Sequence, residues 1–268
     1  MIRIAIAGGA GRMGGMLTRI ISLSDDFELV AATDRQENTA IGRDSGENAG
    51  VGPNGVIIGC NVKTLFERSD VIVDFSAPAA SVSHAQLASD HRTPIVIGTT
   101  GLKKEDEKIL QTVSKNIPVV YCSNTSVGVT LLNQVVKDVA SKLQDDWDVE
   151  ILEAHHHHKV DAPSGTALAL GRAVAQGRNI ENEGVFDMVR KGQTGARNPG
   201  DIGFAVLRGG DVVGEHSVIF YGDGERLEIS HRATDRKIFA QGALKAARFA
   251  TSVGPNFYDM DDVLAARI

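Results

Sequence analysis

Only two cysteines, Cys60 and Cys122, occur among the 268 residues. Two thiols cannot build a disulfide framework and nothing in the sequence pairs them, so a reducing, cytoplasmic setting is expected. No uninterrupted apolar run reaches the roughly 18 residues of a membrane span. The opening stretch, Met1 to Gly8, is apolar over too short a length to read as a signal peptide. Positive charge is also short: 28 Lys and Arg stand against 34 Asp and Glu, a net −6. That balance argues against a general binder of nucleic acid or of anionic membrane, and leaves room for a local basic pocket. Internal repeats, low-complexity tracts and proline-rich linkers are missing. The remainder is ordinary for a globular protein, with 42% hydrophobic and 23% charged residues. The length suits one large domain or two modest ones.

Through the first half, short apolar runs alternate with segments of helical period. Strands are expected at Ile2–Ala7, Phe27–Thr33, Val71–Phe75, Ile95–Ile97 and Val119–Tyr121. Helices are expected at Arg12–Leu23, Ala79–Ser89 and Lys104–Ser114; in the first, Met13, Met16, Leu17, Ile20 and Ile21 carry the spacing. Such alternation predicts a parallel, doubly wound α/β sheet. The Gly- and Asn-rich segment Gln36–Gly59 reads as a mobile loop. The pattern then changes. A long helix is expected at Val127–Leu143, a strand at Val149–Ala154 and a helix from Ser164. Strand-like segments follow at Gly203–Leu207, Val212–Phe220 and Arg226–Ile229. These predict a central α+β domain with a mixed, largely antiparallel sheet. Helical sequence resumes at Lys237–Ala250 and returns the chain to the first domain.

Gly8-Gly9-Ala10-Gly11-Arg12-Met13-Gly14 follows the first strand and opens the first helix. Gly9, Gly11 and Gly14 fit the dinucleotide fingerprint; Gly8, Gly11 and Gly14 fit its longer-spaced variant. Such glycines permit a tight turn and close backbone approach to a pyrophosphate at a helix N-terminus. An ordinary strand–turn–helix is the plain alternative. Asp34 closes the second strand 20 residues after Gly14, where an acidic residue grips ribose hydroxyls. Arg35 follows; its guanidinium suits a 2′-phosphate, or is a solvated surface charge. The pair points to NADH, NADPH or both. Arg12 is a further candidate for a cofactor phosphate. Gly98-Thr99-Thr100-Gly101 and Cys122-Ser123-Asn124-Thr125 follow the fourth and fifth strands, beyond whose carboxyl ends ligands bind. Each is also compatible with plain turn chemistry.

The most informative stretch is Glu153-Ala154-His155-His156-His157-His158-Lys159-Val160-Asp161-Ala162-Pro163-Ser164-Gly165-Thr166. It is internal and flanked by structured sequence, unlike a purification tag. In a strand, consecutive side chains face opposite ways, so the four histidines do not converge on one ion, and no metal site is expected. Histidines can donate protons near neutral pH. Lys159 adds a fixed cation. Ser164 reads as a helix N-cap, with Gly165 and Thr166 in the first turn as a cradle for a carboxylate. A polar loop with incidental histidines is the plain alternative.

At these residues the chain resembles the dihydrodipicolinate reductase family. The histidine–lysine segment through Thr166 is its signature. The Gly8–Gly14 loop, Asp74-Phe75-Ser76, Gly98-Thr99-Thr100, Asn124 with Ser126-Val127-Gly128-Val129, Gly203-Phe204, Gly214-Glu215-His216 and Phe239-Ala240 with Gly242-Ala243 resemble it in the same order. The resemblance implies an N-terminal Rossmann dinucleotide-binding domain over residues 1–126, rejoined by 237–268. It implies a substrate-binding and oligomerisation domain over 127–236, in a homotetramer. The implied reaction reduces 4-hydroxy-tetrahydrodipicolinate, a small dicarboxylate, to tetrahydrodipicolinate with loss of water, in the diaminopimelate route to lysine. By the same resemblance His155 is the proton donor or charge-stabilising histidine and Lys159 a proton donor. His156, Lys159, Gly165 and Thr166 bind substrate, with Ser164 capping the cradle. Gly8 to Met13, Asp34, Arg35, Gly98 to Thr100 and Cys122 to Thr125 bind cofactor. His157 stands where a cation such as Arg is expected, and Tyr121-Cys122 and Thr125 are less typical.

Two other classes stay open. A semialdehyde dehydrogenase also joins a dinucleotide domain to a mixed catalytic one, and would use Cys122 as nucleophile. A non-enzymatic NAD(H)-binding redox sensor would need neither proton donor nor cradle.

Overall fold

The computed structural model describes residues 1–143, 145–181 and 183–266. In chain order the first elements are β1 (Ile2–Ala7), α1 (Arg12–Ile21), β2 (Phe27–Thr33), α2 (Ser45–Ala49), β3 (Ile58–Gly59), α3 (Thr64–Glu67), β4 (Val71–Asp74), α4 (Pro78–His91), β5 (Ile95–Ile97), α5 (Lys104–Val113) and β6 (Pro118–Tyr121). They continue with α6 (Val127–Lys142), β7 (Asp148–His155), α7 (Gly165–Gly177), β8 (Phe186–Asp187), β9 (Ile202–Arg208), β10 (Gly214–Gly222) and β11 (Glu225–Ala233). The chain ends with α8 (Lys237–Ala250), β12 (Asn256–Tyr258) and α9 (Met260–Ala265). It forms two compact units, Met1–Val127 with Lys237–Ile268, and Gly128–Arg236.

The first unit holds a seven-stranded sheet in the order β12-β6-β5-β4-β1-β2-β3. All its pairings are parallel. Ile4, Ala5, Ile6 and Ala7 of β1, like Val71, Ile72 and Val73 of β4, are fully buried. Strands covered on both faces read as unbroken apolar runs, which is why these were legible. Leu17 and Ile21 of α1 pack on one face with Ile4 and Ile6. Burying a side chain of that size contributes about 1.5–3 kcal/mol. The alanine-rich α8 joins the same cluster through Ala240, Ala243, Ala246, Ala247 and Ala250. From β1 the chain moves one way to β2 and β3, then returns to β4 on the other side. The carboxyl ends of β1 and β4 therefore flank the switch point, where a doubly wound sheet opens a crevice.

The expectation of a mobile loop at Gln36–Gly59 is corrected: the segment contains α2 and β3. Asp44 organises it. Its Oδ1 accepts from the N–H groups of Gly46 and Glu47 at 2.8 and 3.1 Å, and its Oδ2 from Gly55 at 2.8 Å. These bonds hold the Asp44 carboxyl below its usual range against the opposing effect of desolvation. Glycine and asparagine here supply turns around a fixed carboxylate.

The second unit has a five-stranded sheet in the order β11-β10-β7-β9-β8. It is mixed, as expected. The long ladders of β10 with β11 and with β7 are antiparallel and hold most of the paired residues. The β7–β9 and β8–β9 pairings run parallel. A parallel neighbour needs a crossover, and α7 lies in the β7–β9 connection. Helices α6 and α7 cover one face, with Leu132, Val136, Leu170 and Val174 packed on Ile151, Val218 and Phe220.

Candidate active site

In the first unit, the turn after β1 is built by close approaches. Gly8 has φ +83°, and a Cβ there would stand 2.5 Å from the Phe75 carbonyl oxygen. Gly8 and Gly9 both donate to the Thr33 carbonyl, at 2.9 and 2.8 Å. A Cβ on Gly14 would collide with the Gly8 carbonyl, so α1 packs against the turn only without one. No side chain caps the N-terminus of α1, whose N-cap is Gly11. Its first N–H groups keep their affinity for an anion.

Two depressions meet at this turn and share Gly11, Phe75, Ser76 and Ala77. One, of about 540 Å³, is lined by Arg12, Met13, Gly98, Thr99, Thr100, Ser123, Asn124 and Thr125 among others. The other, of about 460 Å³, is lined by Gly8, Asp34, Arg35, Asn38 and His84 among others. Asp34 ties its strand end to the turn: Oδ2 accepts from Ala10 N–H at 3.0 Å, and Oδ1 from Arg35 N–H and the Asn38 side chain at 2.9 and 3.1 Å. Gly9 and Ala10 shape the turn and do not line either wall. A Cβ-free cradle, an uncapped helix start and two joined depressions fit a dinucleotide.

Beneath the shared wall lies a polar cluster of which sequence assigned a role to Thr99 alone. Asp74, fully buried at the end of β4, accepts at Oδ1 from Ser76 Oγ (2.6 Å), Ser76 N–H (2.9 Å), Ser81 Oγ (3.0 Å) and Thr99 Oγ1 (3.2 Å). Its Oδ2 lies 2.7 Å from Nδ1 of His84. The spacing from Asp74 to Ser81 and His84 on α4 was visible, but nothing in it signalled a role.

Cys122 turns into the core beside Ile4, Ile6 and Val120. Burial first, and the Asp259 charge second, push its thiol up to about 12. A nucleophilic cysteine needs a thiolate, so the semialdehyde dehydrogenase reading loses its nucleophile. Cys122 remains at the strand end as backbone, and its side chain does not line the depression.

In the second unit, β7 ends at His155, so only this member of the histidine run lies in a strand. His156, His157 and His158 lie in the following turn. His156 and His157 donate their N–H groups to the carbonyls of Val212 and Gly210, at 2.8 and 3.3 Å. Among the described residues no group of three or more His, Cys, Asp or Glu is placed to hold a metal ion. Arg236 reaches His156 Nε2 at 3.3 Å. Burial first, then Arg236, lowers the His156 pKa from its ordinary value. Lys159 pairs with Asp161 at 2.8 Å, which lowers the Asp161 carboxyl.

Ser164 caps α7 as expected: its Oγ accepts from Ala167 N–H at 3.2 Å. Gly165 is exposed, and a Cβ on it would meet nothing within 4 Å, so open space adjoins the first turn. Glu153, 1% exposed, links this cap to His155. Its Oε1 accepts from Ser164 N–H at 2.9 Å, and its Oε2 lies 2.6 Å from His155 Nδ1. Arg208 clamps both oxygens, each at 2.8 Å. Burial would raise this carboxyl, yet bonds from His155, Arg208 and Ser164 bring it down to about 2. His216 sits in the same row of the sheet, opposite Glu153 on β10. Its Nε2 is 3.1 Å from Ser164 Oγ, and its ring meets that of His155 edge-on at 5.1 Å. Sequence quoted Glu153 and His216 within motifs but gave them no role. Arg208 carried no signal at all.

The family model described as dihydrodipicolinate reductase, N-terminus, matches residues 2–125, and its C-terminus counterpart matches 128–264. A protein of Magnetococcus marinus named 4-hydroxy-tetrahydrodipicolinate reductase is 46% identical over 265 residues, 98% of each chain. One of the same name from Ruegeria pomeroyi is 48% identical over 261 residues, 97% of each chain. Among solved structures, dipicolinate-bound dihydrodipicolinate reductase from Paenisporosarcina sp. TG-14 superposes with a TM-score of 0.77 at 25% identity, covering 97% of each chain. An amine dehydrogenase from Mycobacterium smegmatis shares the fold at a TM-score of 0.61 and 13% identity, over 97% of this chain and 95% of that one.

Proposed function

The chain belongs to the dihydrodipicolinate reductase family, and from that premise we propose how its residues perform the reduction of 4-hydroxy-tetrahydrodipicolinate to tetrahydrodipicolinate with NADH or NADPH. The reaction lies in lysine and diaminopimelate biosynthesis. One observation carries the assignment of residues: a single buried carboxylate, Glu153, holds both the His155 ring and the N-cap of α7. A proton-bearing group and an anion cradle are thereby fixed to one another.

Residues 1–126 with 237–268 hold the dinucleotide, and residues 127–236 hold the substrate. Gly8 to Met13, at the uncapped start of α1, would hold the pyrophosphate. Asp34 would hold the adenine ribose, and Arg35 a 2′-phosphate when one is present. Gly98 to Thr100 and Ser123 to Thr125 would border the nicotinamide. When bound, the reduced cofactor supplies the hydride. Gly165 and Thr166 receive one substrate carboxylate at the first turn of α7, assisted by His156. The ring hydroxyl leaves as water, which leaves a conjugated imine ring, and that ring would gain negative charge on taking up hydride. Lys159 and His155 offset that charge and deliver the proton, which lowers the barrier. Glu153 stays ionised throughout and keeps the imidazole of His155 oriented.

A homotetramer is part of the same proposal. By strand alternation, Leu152, Ile219 and Tyr221 face away from α6 and α7, and Leu207 on the neighbouring strand is 54% exposed. A sheet face with that apolar content suits burial against another copy. A cytoplasmic setting is proposed from the two free thiols, Cys60 exposed and Cys122 buried.

The test generates the substrate in place from pyruvate and aspartate semialdehyde with the preceding synthase, and follows NADH and NADPH absorbance. Wild type oxidises the cofactor, and a His155→Gln, Lys159→Ala double variant is slower by several orders of magnitude. A double variant that turns over at the wild-type rate removes the residue assignment. Light scattering on the same preparation checks the tetramer.

A further inference from the structure

His155 has two ring nitrogens, and the reaction proposed above uses one. Which one faces the substrate depends on what holds the other. Nδ1 lies 2.6 Å from Oε2 of Glu153. An ionised carboxylate accepts hydrogen bonds and donates none, so the nitrogen beside it must carry a proton. The His155 Nδ1 position is therefore N–H whether the ring is neutral or charged. Nε2 is left as the position at which a proton is held or given.

Glu153 is unusually constrained for this task. It is 1% exposed, and a buried charge is tolerated only when paired and fully hydrogen-bonded. Arg208 neutralises it with a two-pronged contact, 2.8 Å to each oxygen. Charge pairing alone would be complete at that point. The remaining acceptor capacity goes to two groups of the site: Oε2 to His155, and Oε1 to the Ser164 N–H at 2.9 Å. Sheet register explains why one residue reaches both. Glu153 and His155 are two apart on β7 and share the inner face. The neighbouring β10 places His216 opposite Glu153, and His216 reaches Ser164 from the other side.

We propose that Glu153, clamped by Arg208, is a positioning residue that fixes the His155 tautomer with Nε2 as the proton-exchanging nitrogen and locks that ring to the carboxylate cradle at Ser164. This rests on the reading of His155 as a group that meets the substrate. Glu153 touches neither substrate nor cofactor and acts through His155 and Ser164.

The test uses the full chain labelled with 15N-histidine, with the His155 signal assigned by its loss in His155→Gln. The expected result is a protonated Nδ1 in the wild type with cofactor bound and without. Glu153→Gln replaces the carboxylate with an amide of the same shape. Its expected effects are loss of the fixed Nδ1–H signature and a fall in kcat of about 10–100-fold, the scale for groups that orient a reacting side chain. KM rises by a smaller factor, because the cradle loses one of its two supports. Glu153→Asp, which restores the charge, recovers part of kcat. A purely structural salt bridge would lower the melting temperature and leave the tautomer as it was. An unprotonated Nδ1 in the wild type overturns the proposal even if Glu153→Gln fails to fold, and so does a folded Glu153→Gln with wild-type kcat. Wild type that shows the Nδ1–H signature but no turnover sinks the reaction reading instead, so the two failures are told apart.

Discussion

Gly214 approaches His155 so closely that a Cβ on it would stand 3.0 Å from the ring Nε2. The absence of a side chain there is what lets the imidazole occupy its place at the end of β7. Gly214→Ala should therefore displace the ring by a few tenths of an ångström while β10 stays paired. With His155 in its proposed role, a displaced ring costs rate steeply. We expect kcat to fall about tenfold, with cofactor affinity unchanged and stability within about 1 kcal/mol of wild type. Steady-state kinetics with a thermal melt decides it; unchanged kcat refutes the packing argument.

His216 makes the second unit sensitive to acid. It is 4% exposed, and burial first, then the neighbouring His155, His231 and Lys159, depress its pKa to about 4, with Glu153 opposing. The unfolded chain takes up this proton near 6.5, so between pH 6.5 and 4 it binds more protons than the folded one. Stability then rises with pH across that window and is lost as pH falls through it, by on the order of 3 kcal/mol. Glu153 adds a separate acid loss lower down, between about 4.5 and its folded value of about 2. Denaturant melts from pH 7 to 4 should show the first slope, and His216→Asn should flatten it. An identical slope in the variant would assign it elsewhere.

The parallel sheet was legible in the sequence because the buried stretches Ile4–Ala7 and Val71–Val73 are short continuous apolar runs. The cap at Ser164 was legible because capping is local chemistry. Gln36–Gly59 misled because composition does not reveal that one carboxylate, Asp44, gathers the turns. The links from Glu153 to Arg208 and from Ser164 to His216 span 55 and 52 residues, and no spacing rule announces such pairs. Register supplies the sheet partners: β7 lies between β9 and β10, with His216 opposite Glu153 and Arg208 opposite His155, while Ser164 comes from the cap of α7.

Arg35 lines the depression that also holds Asp34, while Asp34 is engaged with the turn through Ala10. On the proposed placement of the cofactor, the guanidinium would be the group that distinguishes a 2′-phosphate from a hydroxyl. Arg35→Ala should raise KM for NADPH about tenfold relative to KM for NADH, the scale of one lost charge-assisted contact. Parallel kinetics with both cofactors checks this; an unchanged ratio would place Arg35 in solvent.

Cys122 is packed in the core with its thiol pushed up to about 12. Cys122→Ala should keep wild-type turnover and lose only modest stability, about 1 kcal/mol, for the small void left behind. Loss of activity in a folded Cys122→Ala protein would revive a covalent mechanism.

Asp74 lies under the wall shared by both depressions, and its two oxygens hold different groups. Oδ1 gathers Ser76, Ser81 and Thr99, and the walls of the larger depression include Ser76 and Thr99. Oδ2 holds His84, which lines the other. Removing the carboxylate leaves several buried donors unsatisfied, at about 1–3 kcal/mol each, unless the loops move to rehydrate them. Loop movement would disturb both ends of the proposed cofactor site together. Asp74→Ala should therefore raise KM for NADH and NADPH by the same factor and leave their ratio as in wild type, the opposite pattern to Arg35→Ala. Asp74→Asn, which keeps an acceptor at Oδ1, should show a smaller common rise. A change in the NADH-to-NADPH ratio on removing Asp74 would mean that it acts on one depression only. Unaltered KM values would mean that the hydroxyl cluster holds its shape without the charge.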